Sequence, residues 1–329
     1  MGKTVLVTGG TGFLGAHICR VLAERGDRVI QADLKPSEAN PPLAWLLEPV
    51  RGGITFLRLD TENITGLIRA CQHHGVESMI HASAITDLDL LVKEPAYSAR
   101  SIIGGALNVM ETARLLGIPR VIYISSIAVY SAVEYEPMDE DHTVLRSDQR
   151  PALASYTSAK LSCESLGLCY WGFHQLDFVA VRLSAVYGLG MNYPMYIKPM
   201  VEESLNGKAV RFSSGGDMIR DYTYISDVVS GIIQALDHPR SFRYRIFNLS
   251  SGEAPVRASE LARVVRATLP EAQIEIGPGM TAIEEAQVKS RGRLSIERAR
   301  REFGYAPRYS LSEGVRAYVE EFRAYQNSH

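Results

Sequence analysis

The N-terminal residues contain a short apolar run, a glycine-rich turn and a helical pattern in immediate succession. Residues 4–8 (TVLVT) are apolar or β-branched, as in a strand that is buried on both faces. Gly9, Gly12 and Gly15 follow with GxxGxxG spacing, and a helical pattern then continues to Gly26. Glycines in such a turn let backbone N–H groups approach a pyrophosphate, and the helix N-terminus adds partial positive charge. The segment therefore predicts a dinucleotide-binding turn.

Short apolar runs and helical patterns continue to alternate along the chain. Further strands are predicted in DRVIQAD, ITFLRLD, ESMIHAS, RVIYISS, DFVAVRLS and RIFNLSS, and further helices in NITGLIRACQHHG, around residues 96–116 and from about 155 to 174. Strands that alternate with helices of this length indicate βαβ units. The predicted fold class is α/β, a Rossmann-type doubly wound parallel sheet whose ligand crevice lies at the carboxyl ends of the strands. Loops rich in Gly, Pro and Tyr after about residue 185 predict a smaller, loop-rich C-terminal substrate region.

Asp33 ends the second predicted strand, 18 residues after Gly15. A carboxylate at this place accepts hydrogen bonds from both adenosine ribose hydroxyls and repels a 2′-phosphate. The alternative is a cap of the following loop, and Lys35 lies close enough in the chain to offset part of the repulsion. We expect NAD as the cofactor. The predicted domains are an NAD-binding Rossmann domain, residues 1–184 with 221–250 returning to it, and a substrate-binding region, residues 185–220 and 251–329.

The composition argues against several other classes of protein. The 329 residues include 35 basic and 37 acidic side chains, which gives no reason to expect a nucleic acid or membrane partner. The four cysteines form no CxxC pair and the eight histidines no HExxH motif, so neither a metal site nor a disulfide framework is expected. The chain opens with a strand rather than a signal peptide, and no apolar run reaches the length of a membrane span, about 18 residues. These features predict a cytoplasmic protein.

Motifs along nearly the whole chain resemble the extended short-chain dehydrogenase/reductase family, that of NAD-dependent epimerases and dehydratases. The motifs, in order, are TGGTGFLG at 8–15, AD at 32–33, LD at 59–60, HAS at 81–83, YISSIAVY at 123–130, YTSAK at 156–160, RLSAVYG at 182–188, RDYTYISDVV at 220–229 and ARREFGYAPRYSLSEGV near the end. Each motif is modest alone, and it is their order and spacing that carry the resemblance.

The resemblance implies that Ser126, Tyr156 and Lys160 are the catalytic set. Tyr156 and Lys160 are four residues apart and would share a helix face. A lysine ammonium about 4 Å from a phenol, at an effective dielectric of about 20, lowers the phenol pKa from about 10 by roughly three units. The cationic nicotinamide of NAD+ adds to this effect, so Tyr156 is expected to titrate near neutrality. Without that context, a tyrosine and a lysine on one helix need have no catalytic role.

The resemblance also implies the cofactor contacts and an assembly. The expected cofactor-binding residues are Gly9, Gly12, Phe13, Leu14, Gly15, Asp33, Asp60, Thr61, His81, Ala82, Ser83, Tyr156 and Lys160. The expected assembly is a homodimer in which the helices near 96–116 and 155–174 form a four-helix bundle.

Several positions depart from the pattern of nucleotide-sugar enzymes. Ala185, Ile102 and Glu285 stand where the family usually has two asparagines and a basic residue. Arg220 matches a family arginine that often meets nucleotide phosphates, although an ion pair with a neighbouring aspartate would also explain it. Arg291 and Arg293 could supply positive charge, but their register does not match that of the family's basic residue. The residues that we expect to contact the substrate are Ser126, Tyr193 and Arg220.

The insert between Tyr130 and Tyr156 is acidic and is expected to form a surface loop over the cleft, with solvated carboxylates rather than a metal site. Ile127 and Ala128 stand where dehydratases of the family carry a carboxylate, which disfavours dehydration. The predicted function is an NAD-dependent epimerase or dehydrogenase that acts through Ser-Tyr-Lys on a secondary hydroxyl of a nucleotide sugar, a free sugar or a sugar acid. Two alternatives are an enzyme for a non-sugar hydroxyl or keto compound and a catalytically idle NAD-binding sensor.

Overall fold

The computed structural model describes residues 2–144, 147, 154–239 and 241–328 of the chain. The strands are β1 (Thr4–Thr8), β2 (Arg28–Asp33), β3 (Ile54–Arg58), β4 (Ser78–His81), β5 (Arg120–Ser126), β6 (Asp177–Leu183), β7 (Ala185–Tyr187), β8 (Val210–Phe212), β9 (Ile219–Arg220), β10 (Tyr222–Tyr224), β11 (Ile246–Leu249), β12 (Val256–Arg257) and β13 (Ile274–Ile276). The α-helices are α1 (Phe13–Glu24), α2 (Pro41–Leu47), α3 (Ile64–His74), α4 (Leu88–Lys93), α5 (Pro95–Leu116), α6 (Ala154–His174), α7 (Ile197–Leu205), α8 (Ile225–Asp237), α9 (Ala258–Thr268), α10 (Ala282–Val288), α11 (Glu297–Phe303) and α12 (Leu311–Asn327).

Seven strands form one parallel sheet in the order β11-β6-β5-β4-β1-β2-β3. Without β11, this is the strand order of a doubly wound Rossmann sheet. The predicted fold class is therefore confirmed. The strand order reverses between β1 and β4, where such folds bind their ligands beyond the carboxyl ends of the strands.

The alternation of side chains along β1 shows how the sheet separates two hydrophobic cores. All five residues of β1 are buried, as its unbroken apolar run predicts. Val5 and Val7 pack into the core on one face, while Leu6 packs into the core on the other. Burial of both faces holds the strand ends, and the residues that follow them, in fixed positions.

Smaller strand pairs build the region beyond β6. β7 pairs with β10, β9 with β12 and β8 with β13. β11 then returns to the large sheet beside β6, as the predicted return of residues 221–250 to the NAD-binding part would require. Within the described part of the chain, no helix has both the length and the apolar character that a membrane crossing needs.

Candidate active site

A cleft of about 730 Å³ opens at the carboxyl ends of β1, β2, β4, β5 and β6. Its volume is within the range of small-molecule and cofactor sites. Thirteen of the predicted site residues line it: Gly9, Gly12, Phe13, Leu14, Gly15, Asp33, Ala82, Ser83, Ser126, Tyr156, Lys160, Tyr193 and Arg220. The structure thus brings the glycine turn, the predicted catalytic set and the predicted substrate contacts to one cavity.

The glycine turn is shaped by two close backbone approaches. Gly9 has φ +67°, and a Cβ on it would lie 2.6 Å from the Ser83 nitrogen. A Cβ on Gly15 would lie 2.0 Å from the Gly9 oxygen. Helix α1 then starts from Gly12 with no side-chain cap and no acidic residue in its first turn. Its N–H donors and partial positive charge therefore remain available to an anion such as a pyrophosphate.

Asp33 is held in place at the end of β2. Its Oδ2 accepts a hydrogen bond from the Thr11 nitrogen at 3.2 Å, and its Oδ1 accepts one from the Leu34 nitrogen at 2.7 Å. Lys35 lines the cleft beside it. A carboxylate fixed in this way fits the ribose hydroxyls of NAD, because each oxygen keeps a lone pair for a further donor.

Three predicted cofactor contacts do not line the cleft. The carboxylate of Asp60 caps the turn before α3 and accepts a hydrogen bond from the Glu62 nitrogen at 2.9 Å. The carbonyl oxygen of Thr61 accepts one from Asn108. His81 is buried, with Nδ1 2.6 Å from the Thr8 hydroxyl, and burial, together with the Lys160 charge, lowers its pKa to about 3. His81 is therefore a neutral, buried ring outside the cleft lining. The cofactor contacts of Asp60, Thr61 and His81 stay predictions.

The predicted catalytic residues come from two adjacent elements. Ser126 ends β5, and its Oγ accepts a hydrogen bond from the Ala128 nitrogen at 3.1 Å. Tyr156 and Lys160 lie one turn apart on α6, with Lys160 Nζ 5.7 Å from the centre of the Tyr156 ring. Lys160 donates to the carbonyl oxygen of Ile124 at 2.7 Å, which ties the helix to the strand that carries Ser126.

Burial dominates the electrostatics of this pair. It raises the pKa of Tyr156 to about 12, against the opposing effects of a hydrogen bond with Ser126 and the charge of Arg291. It lowers the pKa of Lys160 to about 8. In the cofactor-free protein, loss of solvent thus disfavours the charged forms of both Tyr156 and Lys160. The expectation that Lys160 and a cationic nicotinamide together bring the pKa of Tyr156 close to neutrality concerns the enzyme with NAD bound, and it stays a prediction.

Two arginines line the cleft together with Tyr193. Arg220 donates to Gln287 Oε1 at 3.1 Å, and Arg291 donates to the same oxygen at 3.3 Å. Although its register differs from that of the family's basic residue, Arg291 lines the cleft. Glu285 is exposed and does not line the cleft, whereas Ala185 does line it.

The acidic insert differs from the expectation of solvated carboxylates at one position. Glu140 is buried; its Oε1 accepts from the Asn248 nitrogen at 2.8 Å, and its Oε2 lies 3.3 Å from Arg298. The Glu140 carboxylate therefore interacts with two groups that are distant in the sequence, rather than with solvent. In the described ranges, no group of three or more metal-ligating side chains is present. The last part of the insert, residues 148–153, lies outside the described residues, so the expected loop over the cleft stays a prediction.

Sequence reasoning missed several residues of the lining. Thr11, Ser184, Asn192, Asp221 and Arg291 all belong to it. Thr11 lies inside the glycine motif, Ser184 follows β6 and Asp221 follows Arg220 in a quoted motif, so position alone could have indicated them. Asn192 and Arg291 lie in loops with no local signal.

Comparison with known proteins identifies the family. The model of the NAD dependent epimerase/dehydratase family matches residues 5–250. The chain belongs to the NAD-dependent epimerase/dehydratase family. Its cofactor is NAD, as Asp33 and the glycine turn predict, and it is an enzyme of the oxidoreductase/epimerase class.

Relatives and similar structures cover nearly the whole enzyme. UDP-glucuronate 4-epimerase 4 of Arabidopsis thaliana is 27% identical over 98% of this chain and 76% of its own length, and the UDP-glucuronate 4-epimerase of Thermodesulfobacterium geofontis is 25% identical over 95% and 94%. An epimerase from Methanothermobacter thermautotrophicus superposes with a TM-score of 0.84 at 25% identity, covering 99% of this chain and 94% of that one. UDP-glucose 4-epimerase from Thermotoga maritima, in a structure with UDP-glucose, gives 0.82 at 25% identity, covering 98% and 99%.

Proposed function

We propose that the enzyme is an NAD-dependent epimerase that inverts a secondary alcohol carbon of a nucleotide-linked sugar, with Ser126, Tyr156 and Lys160 as its catalytic residues. The observation that carries the proposal is the convergence of these three side chains on the same cleft as the glycine turn and Asp33. The relatives named above act on UDP-glucuronate, and a similar structure contains UDP-glucose, which supports a sugar nucleotide as the substrate class.

The cleft residues divide the proton chemistry between them. NAD, when bound, supplies a hydride acceptor that later returns the hydride. Tyr156, as the phenolate, removes the proton of the substrate hydroxyl while the carbon is oxidised, and it returns that proton when the ketone is reduced. Ser126, at the end of β5, hydrogen-bonds the reacting oxygen. The hydrogen bond with Ser126 and the charge of Arg291 oppose the rise in the Tyr156 pKa that burial causes. The ammonium of Lys160, one helix turn from Tyr156, would favour the phenolate once it forms.

Inversion distinguishes an epimerase from a dehydrogenase that shares the first step. An epimerase holds the ketone while it turns and is reduced on its opposite face, so no NADH accumulates. A dehydrogenase releases the ketone and NADH. The same residues support both outcomes, and the relatives favour inversion.

The test is to incubate the purified enzyme and NAD with UDP-glucuronate, UDP-glucose and free glucuronate, with product stereochemistry and NADH absorbance followed separately. Epimerised sugar without NADH supports the proposal. Stoichiometric NADH would make the enzyme a dehydrogenase. No turnover of any sugar despite tight NAD binding would instead favour a non-sugar substrate or an NAD sensor, and activity that survives Tyr156→Phe would overturn the catalytic assignment.

We infer further that the enzyme forms a homodimer through α5 and α6. The two helices pack on each other, yet Leu107 and Leu115 on α5 and Leu168, Trp171 and Phe173 on α6 remain exposed. Phe173 is 82% exposed. A second copy that packs the same helices into a four-helix bundle would cover such side chains. Sedimentation of the enzyme as a monomer at micromolar concentration would contradict the inference, and Phe173→Glu should weaken the dimer.

A further inference from the structure

Glu140, in the acidic insert, is a buried residue whose partners come from three distant elements. It is 6% exposed. Its Oε1 accepts a hydrogen bond from the Asn248 nitrogen of β11 at 2.8 Å, and its Oε2 lies 3.3 Å from Nε of Arg298 on α11. Its carbonyl oxygen accepts one from Arg182 of β6 at 3.1 Å. A buried carboxylate is costly unless such partners satisfy it, so these contacts specify one position for this part of the insert.

Arg182 connects Glu140 to the strand end that carries the proposed catalytic serine. Its guanidinium donates to both oxygens of Glu164 on α6, and Glu164 accepts a further hydrogen bond from the hydroxyl of Ser125 in β5. The same guanidinium lies 4.8 Å from the centre of the Tyr130 ring, which follows β5 in the chain. One side of the insert is therefore fixed to β5 and α6, the elements that carry the proposed catalytic residues.

Met138, two residues before Glu140, fixes the other side of the insert. It is fully buried, and its oxygen accepts hydrogen bonds from Asn248 Nδ2 at 3.2 Å and from the Ser295 nitrogen at 2.8 Å. Its nitrogen donates to the Arg293 oxygen at 2.7 Å, in a parallel bridge between the two segments. Because Asn248 contacts both Glu140 and Met138, the buried carboxylate and the bridge share one residue of β11.

Residues 289–295, which we call the wall segment, contribute Arg291 to the cleft lining. The segment lies between α10 and α11 and belongs to neither helix. Its backbone pairs with the insert through Met138 and through the Val133 nitrogen, which donates to the Lys289 oxygen at 3.0 Å. The position of Arg291 in the cleft therefore depends on where the insert is held.

Building on the proposed function, we propose that Glu140 is a positioning residue whose buried carboxylate holds the insert, and through Met138 the wall segment, so that Arg291 is in place before the substrate arrives. Among the described residues, Glu140 does not line the cleft, so it acts through these contacts and does not touch the reacting atoms. A wall segment that is already ordered avoids the entropy cost of ordering it upon binding. Loss of Glu140 should therefore weaken substrate binding and leave the chemistry of the bound substrate intact.

Two variants of Glu140 and one matched control test this role. Glu140→Gln keeps an acceptor for the Asn248 nitrogen but removes the charge that faces Arg298, whereas Glu140→Ala removes both contacts. Asp141→Asn is the control, because Asp141 is the next residue and pairs with the same arginine at 2.6 Å, but from an exposed position.

Hydrogen exchange of the NAD-bound enzymes measures how firmly the wall segment is held. The amides of Met138 and Ser295, which form the bridge, should exchange about 10- to 100-fold faster in Glu140→Ala, by a smaller factor in Glu140→Gln and at the wild-type rate in Asp141→Asn. The amides of β1 should keep their rate in every variant. In steady-state assays, the KM for UDP-glucuronate should rise by about the same factor, with kcat and NAD affinity nearly unchanged.

Three results would overturn the proposal. They are wild-type exchange at Met138 and Ser295 in Glu140→Ala, an equal acceleration in β1, which would indicate general destabilisation, and a fall in kcat at constant KM. If Glu140→Ala does not fold, Glu140→Gln is judged by the same criteria. Hydrogen exchange needs no turnover, so an enzyme that epimerises no sugar would contradict the proposed function, while the exchange rates still decide the role of Glu140.

Discussion

The ammonium nitrogen of Lys160 lies 5.7 Å from the centre of the Tyr156 ring, one turn further along α6. The same nitrogen donates to the Ile124 oxygen of β5, next to the strand end that carries Ser125 and Ser126. One buried charge thus connects the helix of the proposed base with the strand of the proposed hydroxyl donor. Its position holds the three residues of the proposed catalytic set together, although the chain separates them.

Tyr156→Phe tests the proposed base directly. The substitution removes the only group at that position that can accept the substrate proton, while it keeps the ring that packs beside α5. Epimerisation should fall about a hundred- to ten-thousandfold, the usual contribution of a general base, with NAD affinity changed far less. Steady-state rates and calorimetric NAD titration measure the two effects. A loss of NAD binding equal to the loss of rate would instead make Tyr156 a cofactor ligand alone.

The buried ammonium of Lys160 should reduce stability at neutral pH. Its pKa is about 8 in the folded protein and about 10.5 without burial, so between these values the unfolded chain binds more protons than the folded one. Stability of the wild type relative to Lys160→Met should therefore rise by up to about 3 kcal/mol as the pH increases from about 8 to 10.5. Urea unfolding of the cofactor-free proteins across this range measures it. Lys208→Met, at an exposed site, is the control, and parallel pH curves for wild type and Lys160→Met would contradict the expectation.

Asp33 should determine the choice between NAD and NADP. Asp33→Ser removes the carboxylate that we expect to meet the ribose hydroxyls and to repel a 2′-phosphate, while Lys35 remains in the cleft lining. NAD affinity should fall roughly 10- to 100-fold and NADP affinity should rise. Adding Lys35→Ala to this variant should reverse the gain for NADP. Dissociation constants for both cofactors measure the ratio, and an unchanged ratio in Asp33→Ser would show that another group makes the discrimination.

The sequence predicted every strand of the large sheet. All of them except β3 are mostly buried and appear as apolar runs between glycines and charges, whereas β3 is a largely exposed edge strand. Helix α2 was not predicted. It is seven residues long, begins with two prolines, and packs Leu43 and Leu46 into the core, so tertiary contacts rather than local pattern hold it. A helix this short is stable only when the rest of the core is folded around it.

The site divides in the same way. Residues at strand ends and on helices, such as Ser126 and Tyr156, were found because motif and periodicity place them. Arg291 was not, since its place in the cleft depends on pairing between Met138 and Leu294, which are far apart in the chain. Glu140 was expected in solvent for a related reason: its partners Arg298 and Asn248 come from remote segments. Burial of Tyr156, which raises its pKa, is likewise a property of the folded cleft.

The buried ion pair of Glu164 and Arg182 should stabilise the fold next to the end of β5, which carries Ser126. The pair is almost fully buried and bidentate, with Arg182 donating to the two Glu164 oxygens at 3.0 and 2.7 Å, and Ser125 donates to Glu164 at 2.5 Å. Glu164→Gln leaves the Arg182 guanidinium buried without its counter-charge, which should lower the free energy of unfolding by about 3–5 kcal/mol.

The exposed pair of Lys208 and Glu203, 2.8 Å apart, provides the matched comparison, since Glu203→Gln should change stability by less than about 1 kcal/mol. Replacing Arg182 by Met in the Glu164→Gln background removes the uncompensated charge and should recover part of the loss. Because Ser125 precedes Ser126 in β5, the Glu164→Gln variant should also lose epimerisation rate at temperatures where it remains folded. Urea midpoints and rates measured on the same preparations decide the matter: equal stability losses in Glu164→Gln and Glu203→Gln would mean that burial adds nothing to the interior pair.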